Sequence, residues 1–399
     1  MPHTSFVQFI KSFILIYLMQ RKEERRGKKN ILLFGGSSFF NDVGSEMITP
    51  LLPFYVTQLG GGGVAVGLLS GLREGLSSIA KLIGGFLSDR EGKRKPVIFL
   101  GYLISSLLKL LLFFTNSWQQ VLAVISFERI GKTRDAPRDA VIAISTKKKG
   151  NGFGIHQMMD SMGAIVGISI LILLFWKLNL DYKTIFIIAG LIASLSLIPL
   201  FFVKEPKYEK NKENIFKSIK GIDRRLKYFI FVSCIFTLGN FGLYMFLVLL
   251  AKEITGSVFA SLFFVLIFNL FFSLFSVYFG NMSDRIGRKK VLILGYTLFI
   301  LVCVQAIFIR GEVFLALIFA SYGLVNAITS ADQRAFVADL SGKNKGTAIG
   351  FYNMVVGLVN IPAGIIAGIF WNMGSGVMFV YLSVVALVSL ILLLFVRMK

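Results

Sequence analysis

The 399-residue chain is 55% hydrophobic, with a mean hydropathy of +0.74, yet it carries a formal net charge of +22. An ordinary soluble enzyme is excluded, because apolar stretches of about 20 residues recur along the whole length and each is long enough to cross a hydrocarbon core. With no water there to satisfy backbone groups, the stretches must be helices; they are too long and continuous for the alternation of a β-barrel.

In chain order, residues 4–20 form a short apolar stretch interrupted by Lys11. They read either as an interfacial helix or as sequence upstream of the true start, since Met19 followed by QRKEERRGKKN makes a natural cytoplasmic N-terminus. A cleaved signal peptide does not fit, because the basic cluster follows the apolar stretch instead of preceding it. The predicted spans are 31–58, 64–88, 96–116, 118–145, 151–175 and 182–203, then 226–251, 258–282, 291–309, 312–339, 346–371 and 375–397. The expectation is an all-α membrane protein of twelve transmembrane helices in two pseudo-symmetric six-helix bundles. Its parts are an extension (1–27), a first bundle (28–203), a lysine-rich linker (204–225) and a second bundle (226–399).

About thirty of the Lys and Arg residues fall in alternate loops and the termini, against about four in the opposite loops: Lys177, Lys183, Lys252 and Arg310. This positive-inside pattern puts both termini and the linker in the cytoplasm of a multi-pass cell-membrane protein. It also removes the nucleic-acid reading that so basic a chain would otherwise invite. The linker's charge needs no partner beyond the anionic lipids of the inner leaflet. Cys234 and Cys303 both lie in apolar runs, so neither a disulfide framework nor zinc spacing is present.

A short polar motif occurs twice, as GFLSDREGKRKP from Gly85 to Pro96 and as GNMSDRIGRKKV from Gly280 to Val291. Each copy follows an apolar helix, is expected to turn at Ser-Asp-Arg, and ends in basic residues. The flanks repeat at nearly the same offset: Gly154 matches Gly350, and Arg138 matches Arg334. A repeat of that length means two homologous halves.

Twelve spans in two halves, with this doubled motif between spans two and three and between eight and nine, resemble the major facilitator superfamily of secondary transporters. The text NDVGSE (41–46), GKTRDAPRDA (131–140) and FGIHQMMDSMGA (153–164) resembles an archaeal and bacterial branch of it to which no substrate is assigned. The resemblance implies alternating access about a central cavity lined mostly by helices one, four, seven and ten. It also implies that the doubled motif latches the halves in one state. Gly85, Asp89, Arg90 and Arg94, with Gly280, Asp284, Arg285 and Arg288, are the expected gating residues; a plain topological anchor is the alternative.

Charges inside spans carry more information, since each costs roughly 2.5–3.5 kcal/mol at mid-membrane and is expected to face a cavity or a partner. Asp42 and Glu46 lie four residues apart on one face of helix one. Helix two carries Arg73 and Glu74, with Lys81 lower; helix four carries Glu128, Arg129, Lys132, Arg134, Asp135, Arg138 and Asp139; helix five has Asp160. Asp42, Glu46, Arg73, Glu74, Arg134, Asp135 and Asp160 form the expected proton-coupling relay. Arg138, Asp139 and Asp339 read as structural pairs near the inner mouth. The second half offers neutral groups instead, with Asn240, Tyr244, Asn269, Asn326 and Asn360 as the expected substrate cavity. Asparagine also serves as glue between membrane helices.

Several signals are decoys. GKT at 131–133 lacks the preceding glycine of a phosphate loop, and no Ser-His-Asp or Cys-His arrangement supports an enzyme. His156 has no metal-ligand spacing and reads as a polar neighbour of Asp160, so neither a metal nor a cofactor is expected. Glycines 67, 71 and 75, and 346 and 350, read as close-packing faces. Proton-driven exporters of this superfamily usually carry a Gly-Pro signature in helix five, whereas GAIVGIS (163–169) has no proline; the helix-four text does not fit their Arg-x-x-x-Gly pattern. The expected function is secondary transport of a small organic or drug-like solute by a proton-coupled monomer. The alternatives are an ion-independent facilitator, a symporter of an anionic metabolite using Arg73 and Arg134, and a non-transporting sensor or scaffold.

Overall fold

The computed structural model describes residues 27–396 except 92, 146–148, 206–222, 310 and 341–344. The N-terminal extension, but for its last residue, and most of the expected linker therefore lie outside the described residues. Every element among the described residues is helical. α1 covers residues 27–48, α2 Leu52–Gln58, α3 Gly63–Glu91, α4 Lys95–Leu111, α5 Trp118–Glu128, α6 Asp135–Ser145, α7 Lys149–Lys177, α8 Tyr182–Ser194 and α9 Leu197–Phe201. The second half has α10 Arg224–Asn240, α11 Tyr244–Thr255, α12 Val258–Ile286, α13 Arg288–Ile307, α14 Glu312–Leu340, α15 Lys345–Met373 and α16 Ser375–Leu394.

Helix lies on all twelve predicted segments, but among the described residues nine helical segments are long and apolar enough to cross a membrane. The three that do not qualify are the ones covering α1–α2, α3 and α5–α6. The first carries the polar run GGSSFFNDVGSE over residues 35–46, and it is also interrupted at 49–51, where Pro50 and Pro53 supply no N–H to a helical ladder. α3 is continuous but crowded with charge, and the third breaks into a 3-10 turn over Arg129–Arg134.

The two halves meet chiefly where α3 runs antiparallel to α15. Glycine faces glycine along that seam: a β-carbon on Gly67 would lie 1.9 Å from the carbonyl oxygen of Gly364, and one on Gly368 would lie 2.4 Å from that of Gly63. Gly71 and Gly75 abut Asn360 and Gly357 in the same way, so these close-packing positions sit where two backbones touch. Gly350 is looser, 3.6 Å from Leu82, and Gly346 lies in a segment whose side chains are not described. At the outer end, by the predicted topology, the Gly63 N–H donates to Asn372 Oδ1 (2.8 Å) and Trp176 of α7 stacks on Phe259 of α12.

The motif that marks the repeat does not turn at Ser-Asp-Arg. α3 continues through Arg90 to Glu91, and α12 continues through Arg285 to Ile286. In the second copy the helix ends at Gly287 with φ +98°, a conformation that only glycine takes without strain.

Candidate solute cavity

Two helices break near their middles, at matching places in the halves. α1 gives way to Thr49-Pro50-Leu51 before α2, and α10 gives way to Phe241-Gly242-Leu243 before α11. Both breaks free backbone or side-chain acceptors, and α3 supplies the donors. Ser70 Oγ donates to the Gly242 carbonyl (3.0 Å), and Arg73 donates from both Nη atoms to Thr49 Oγ1 (3.1 Å each). Irregular backbone at membrane depth is tolerated where it is buried in protein or lines a cavity.

It lines one here. A cavity of about 460 Å³ lies between the halves. Its first-half wall is Glu46, Thr49, Ser70, Arg73 and Glu74. Its second-half wall carries Asn240, Tyr244, Asn269, Asn326 and Asn360, all five of the expected cavity residues, together with Tyr322, Gln333 and the rings of Phe236, Phe268 and Phe272. Tyr322 donates to Asn240 Oδ1 (3.3 Å). Gln333 is held at both ends of its amide, donating to Tyr296 (3.1 Å) and accepting from Tyr352 (3.0 Å). The lining differs from the expected helices one, four, seven and ten. Helix four contributes none of it, and α3, α12 and α15 stand in its place.

The expected relay is accordingly split. Glu46, Arg73 and Glu74 face the cavity, whereas Asp42, Arg134, Asp135 and Asp160 are not among its lining residues. Helix four turns inward instead. Arg134 is 1% exposed, with Nη1 donating to the carbonyls of Gly131 (2.8 Å) and Gly101 (3.3 Å) and its guanidinium 4.4 Å from the centre of the Tyr102 ring. Asp135 is ringed by Lys81 (3.6 Å), Lys132 (3.8 Å), Arg134 (3.8 Å) and Arg138 (3.5 Å). Gly131 has room for this because a β-carbon there would press on Gly101 and Ser105 of α4. The helix breaks where the side chains fold back on it.

Two polar chains run through the first half. In one, Lys109 Nζ donates to Asn41 Oδ1 (2.8 Å) and Ser105 Oγ (3.2 Å), Ser105 donates to Glu128, and Glu128 pairs with Arg129. The Asn41 amide then donates to Asp42 Oδ1 (3.1 Å). In the other, Ser38 joins Tyr102 (2.8 Å), Arg138 (3.1 Å) and His156 Nε2 (2.9 Å), and His156 Nδ1 lies 3.3 Å from Asp160. Lys109, Ser105, Ser38 and Tyr102 are absent from the sequence reading, and Asn41 enters it only within the NDVGSE text. For Lys109 a signal existed: a lysine inside the apolar run SSLLKLLLFF, which at 2% exposure needs a buried partner. The other four are ordinary polar residues whose importance comes only from their neighbours.

At the second copy of the motif, Arg288 pairs with Asp284 (2.9 Å) and Asp339 (2.5 Å); in α6, Arg138 pairs with Asp139 (3.0 Å). Arg90 and Arg285 are exposed, and the Asp89 side chain lies outside the described residues. Gly85 sits against Ala136, 3.4 Å from where its β-carbon would be, but Gly280 meets nothing within 4 Å and so brings no helix close. The backbone N–H groups of Arg94 and Lys95 both donate to Glu205 Oε1. In the second half Asp332 is buried, 1% exposed.

Comparison with known proteins agrees with this architecture. The family described as Major Facilitator Superfamily matches residues 34–272 and 229–399. An uncharacterised MFS-type transporter of Methanocaldococcus jannaschii is 42% identical over 385 residues, covering 94% of this chain and 96% of its own length. A multidrug resistance protein, MdtG, of Proteus mirabilis is 26% identical over 293 residues, covering 69% of this chain and 72% of its own. Among solved structures, a single-substitution variant of the nucleoside transporter NupG superposes with a TM-score of 0.80 at 15% identity, over 92% of this chain and 100% of that one. At that identity the likeness speaks for the fold alone.

Proposed function

Because the chain belongs to the Major Facilitator Superfamily, and so is a multi-pass cell-membrane transporter of a small solute and not an enzyme, we propose that it moves an organic or drug-like compound through the cavity between its halves. Twelve spans in two six-helix bundles, 28–203 and 226–399, rock about that cavity in a monomer, and carboxylates of the first half couple the movement to protons. The observation that carries this reading is the division of the cavity wall, with Glu46, Arg73 and Glu74 on one side and asparagines and tyrosines on the other. Intramembrane carboxylates in reach of a hollow are costly unless they are used. A scaffold could replace them with leucine and gain stability. The likeness to a multidrug resistance protein supports a drug-like solute.

The anion-symport reading fares worse. It needs Arg73 and Arg134 at one site, but Arg134 is turned away into carbonyls and the Tyr102 ring.

The test is solute-dependent thermal stabilisation of the purified protein, followed by flux into proteoliposomes with and without a pH gradient. Asp42→Asn and Glu46→Gln should each uncouple flux from the gradient; unchanged pH-driven flux in both removes them from the relay. Flux indifferent to pH in the unaltered protein makes it a facilitator, and stabilisation without flux makes it a sensor.

A further inference from the structure

Three of the cavity's asparagines are oriented by their own helices. Asn269 Nδ2 donates to the Val265 carbonyl (3.1 Å), Asn326 Nδ2 to that of Tyr322 (3.0 Å), and Asn360 Nδ2 to that of Val356 (3.1 Å). Each bond reaches back one turn to a carbonyl, which can only accept, so the nitrogen and oxygen of each amide are fixed. The three Oδ1 atoms accept no hydrogen bond among the described residues and are not closed off from solvent. They come from α12, α14 and α15, so three separate helices present acceptors to one hollow.

The charges across the cavity have the same sense. The ionisable groups lining it with formal charge are two acids, Glu46 and Glu74, and one base, Arg73. Arg73 has both its terminal nitrogens on Thr49. Donors remain on the second-half side as well: the Asn240 amide, whose oxygen is already taken by Tyr322, the second N–H of each of the three asparagines, and the hydroxyls of Ser330 and Tyr244, the latter without a hydrogen-bond partner among the described residues. The acid-rich charge and not a shortage of donors therefore sets the preference. The rings of Phe236, Phe268 and Phe272 share the remaining wall with Met245 and Val356, and aromatic rings attract cations.

We infer that the cavity takes an organic cation with N–H donors, a primary or secondary ammonium carried on an apolar body, and that the three amide oxygens read those donors. The ammonium meets the acid-rich wall, its N–H groups reach the amide oxygens, and the apolar body lies on the rings. An anion would face two carboxylates and three carbonyl-type oxygens. The inference rests on the transport reading only for its purpose; the binding chemistry stands apart from it.

The experiment compares three probes on the unaltered protein in detergent: phenethylammonium, its N,N,N-trimethyl analogue, and 2-phenylethanol. The first two share charge and ring, but the second has no N–H. Losing two hydrogen bonds of ordinary strength should weaken binding about thirtyfold. Thermal stabilisation should therefore rank phenethylammonium above both of the others. Asn326→Leu, which gives up only a bond to its own helix, should narrow the gap between the ammonium and its trimethyl analogue. Equal affinity for those two overturns the donor requirement, equal affinity for the alcohol overturns the charge requirement, and no stabilisation by any probe overturns the inference entirely. Binding of phenethylammonium with no flux in proteoliposomes would sink the transport reading and leave this one standing.

Discussion

Lys95 and Lys289 make the same contact in the two halves. Lys95 Nζ donates to the carbonyls of Phe201 (3.1 Å) and Val203 (2.8 Å), and Lys289 Nζ to those of Leu394 and Val396 (2.8 Å each). Each pair of carbonyls closes the last helix of its half, where acceptors have no helical donor and the macrodipole is negative. The basic end of the doubled motif thus ties its loop to the end of its own bundle, a role that neither lipid anchoring nor gating requires.

Replacing either lysine with methionine should lower stability by about 1–2 kcal/mol, the worth of a hydrogen bond from a charged donor reduced by partial exposure. The two losses should add, because the sites lie in different halves and share no partner. Denaturant unfolding of the single and double variants in detergent measures this. Unmoved midpoints in both singles would leave the lysines as topological anchors only.

Gly67→Val forces a side chain into the 1.9 Å between its would-be β-carbon and the Gly364 carbonyl. The neighbour is backbone, so relief means moving α3 from α15. A loss of about 1–3 kcal/mol is expected, more if the seam cannot open. Gly280→Ala, which meets open space, is the control and should leave the melting temperature nearly unchanged. A Gly67 variant as stable as the control would show that the seam is not so tight.

Lys109→Met removes the cation at the centre of a buried polar chain and leaves Asn41 Oδ1 without its closest donor. Breaking a buried charged network from one side costs about 3–5 kcal/mol, whereas removing both partners costs less. Adding Asn41→Leu, which removes the acceptor that Lys109 Nζ held, should therefore recover part of the loss. Strict additivity in that double-mutant cycle would mean that Lys109 and Asn41 do not act together.

Arg288 holds Asp284 and Asp339 on a largely exposed surface. Arg288→Gln should change equilibrium stability by less than about 1 kcal/mol. If the motif gates, the same substitution should alter flux several-fold in proteoliposomes. Normal flux at normal stability would return the motif to a simple anchor.

The doubled motif was legible because a polar, basic dodecamer stands out in apolar text and recurs at a fixed distance. The cavity asparagines were legible for the same reason, each being a polar group in a helix that has few. Harder to see was that Asp42 and Glu46, one turn apart, would part company, one bonded to Asn41 and one facing the hollow. Sharing a helix face does not settle which neighbour that face meets. The break at Phe241-Gly242-Leu243 was likewise hidden, since a glycine in an apolar run is as compatible with close packing as with a kink.

Sequence by itself determined the membrane class, the recurrence of the polar motif and most of the charges set inside apolar segments, because each follows from local composition and the cost of placing charge or bare backbone in hydrocarbon. Only the tertiary structure decided which charges became a self-contained scaffold and which became a wall. Helix four could have lined the cavity, but its guanidinium groups found carbonyls, an aromatic face and carboxylates within their own half. A buried charge goes to the partners that packing brings within a few ångströms, and nothing short of the packed bundle specifies which those are.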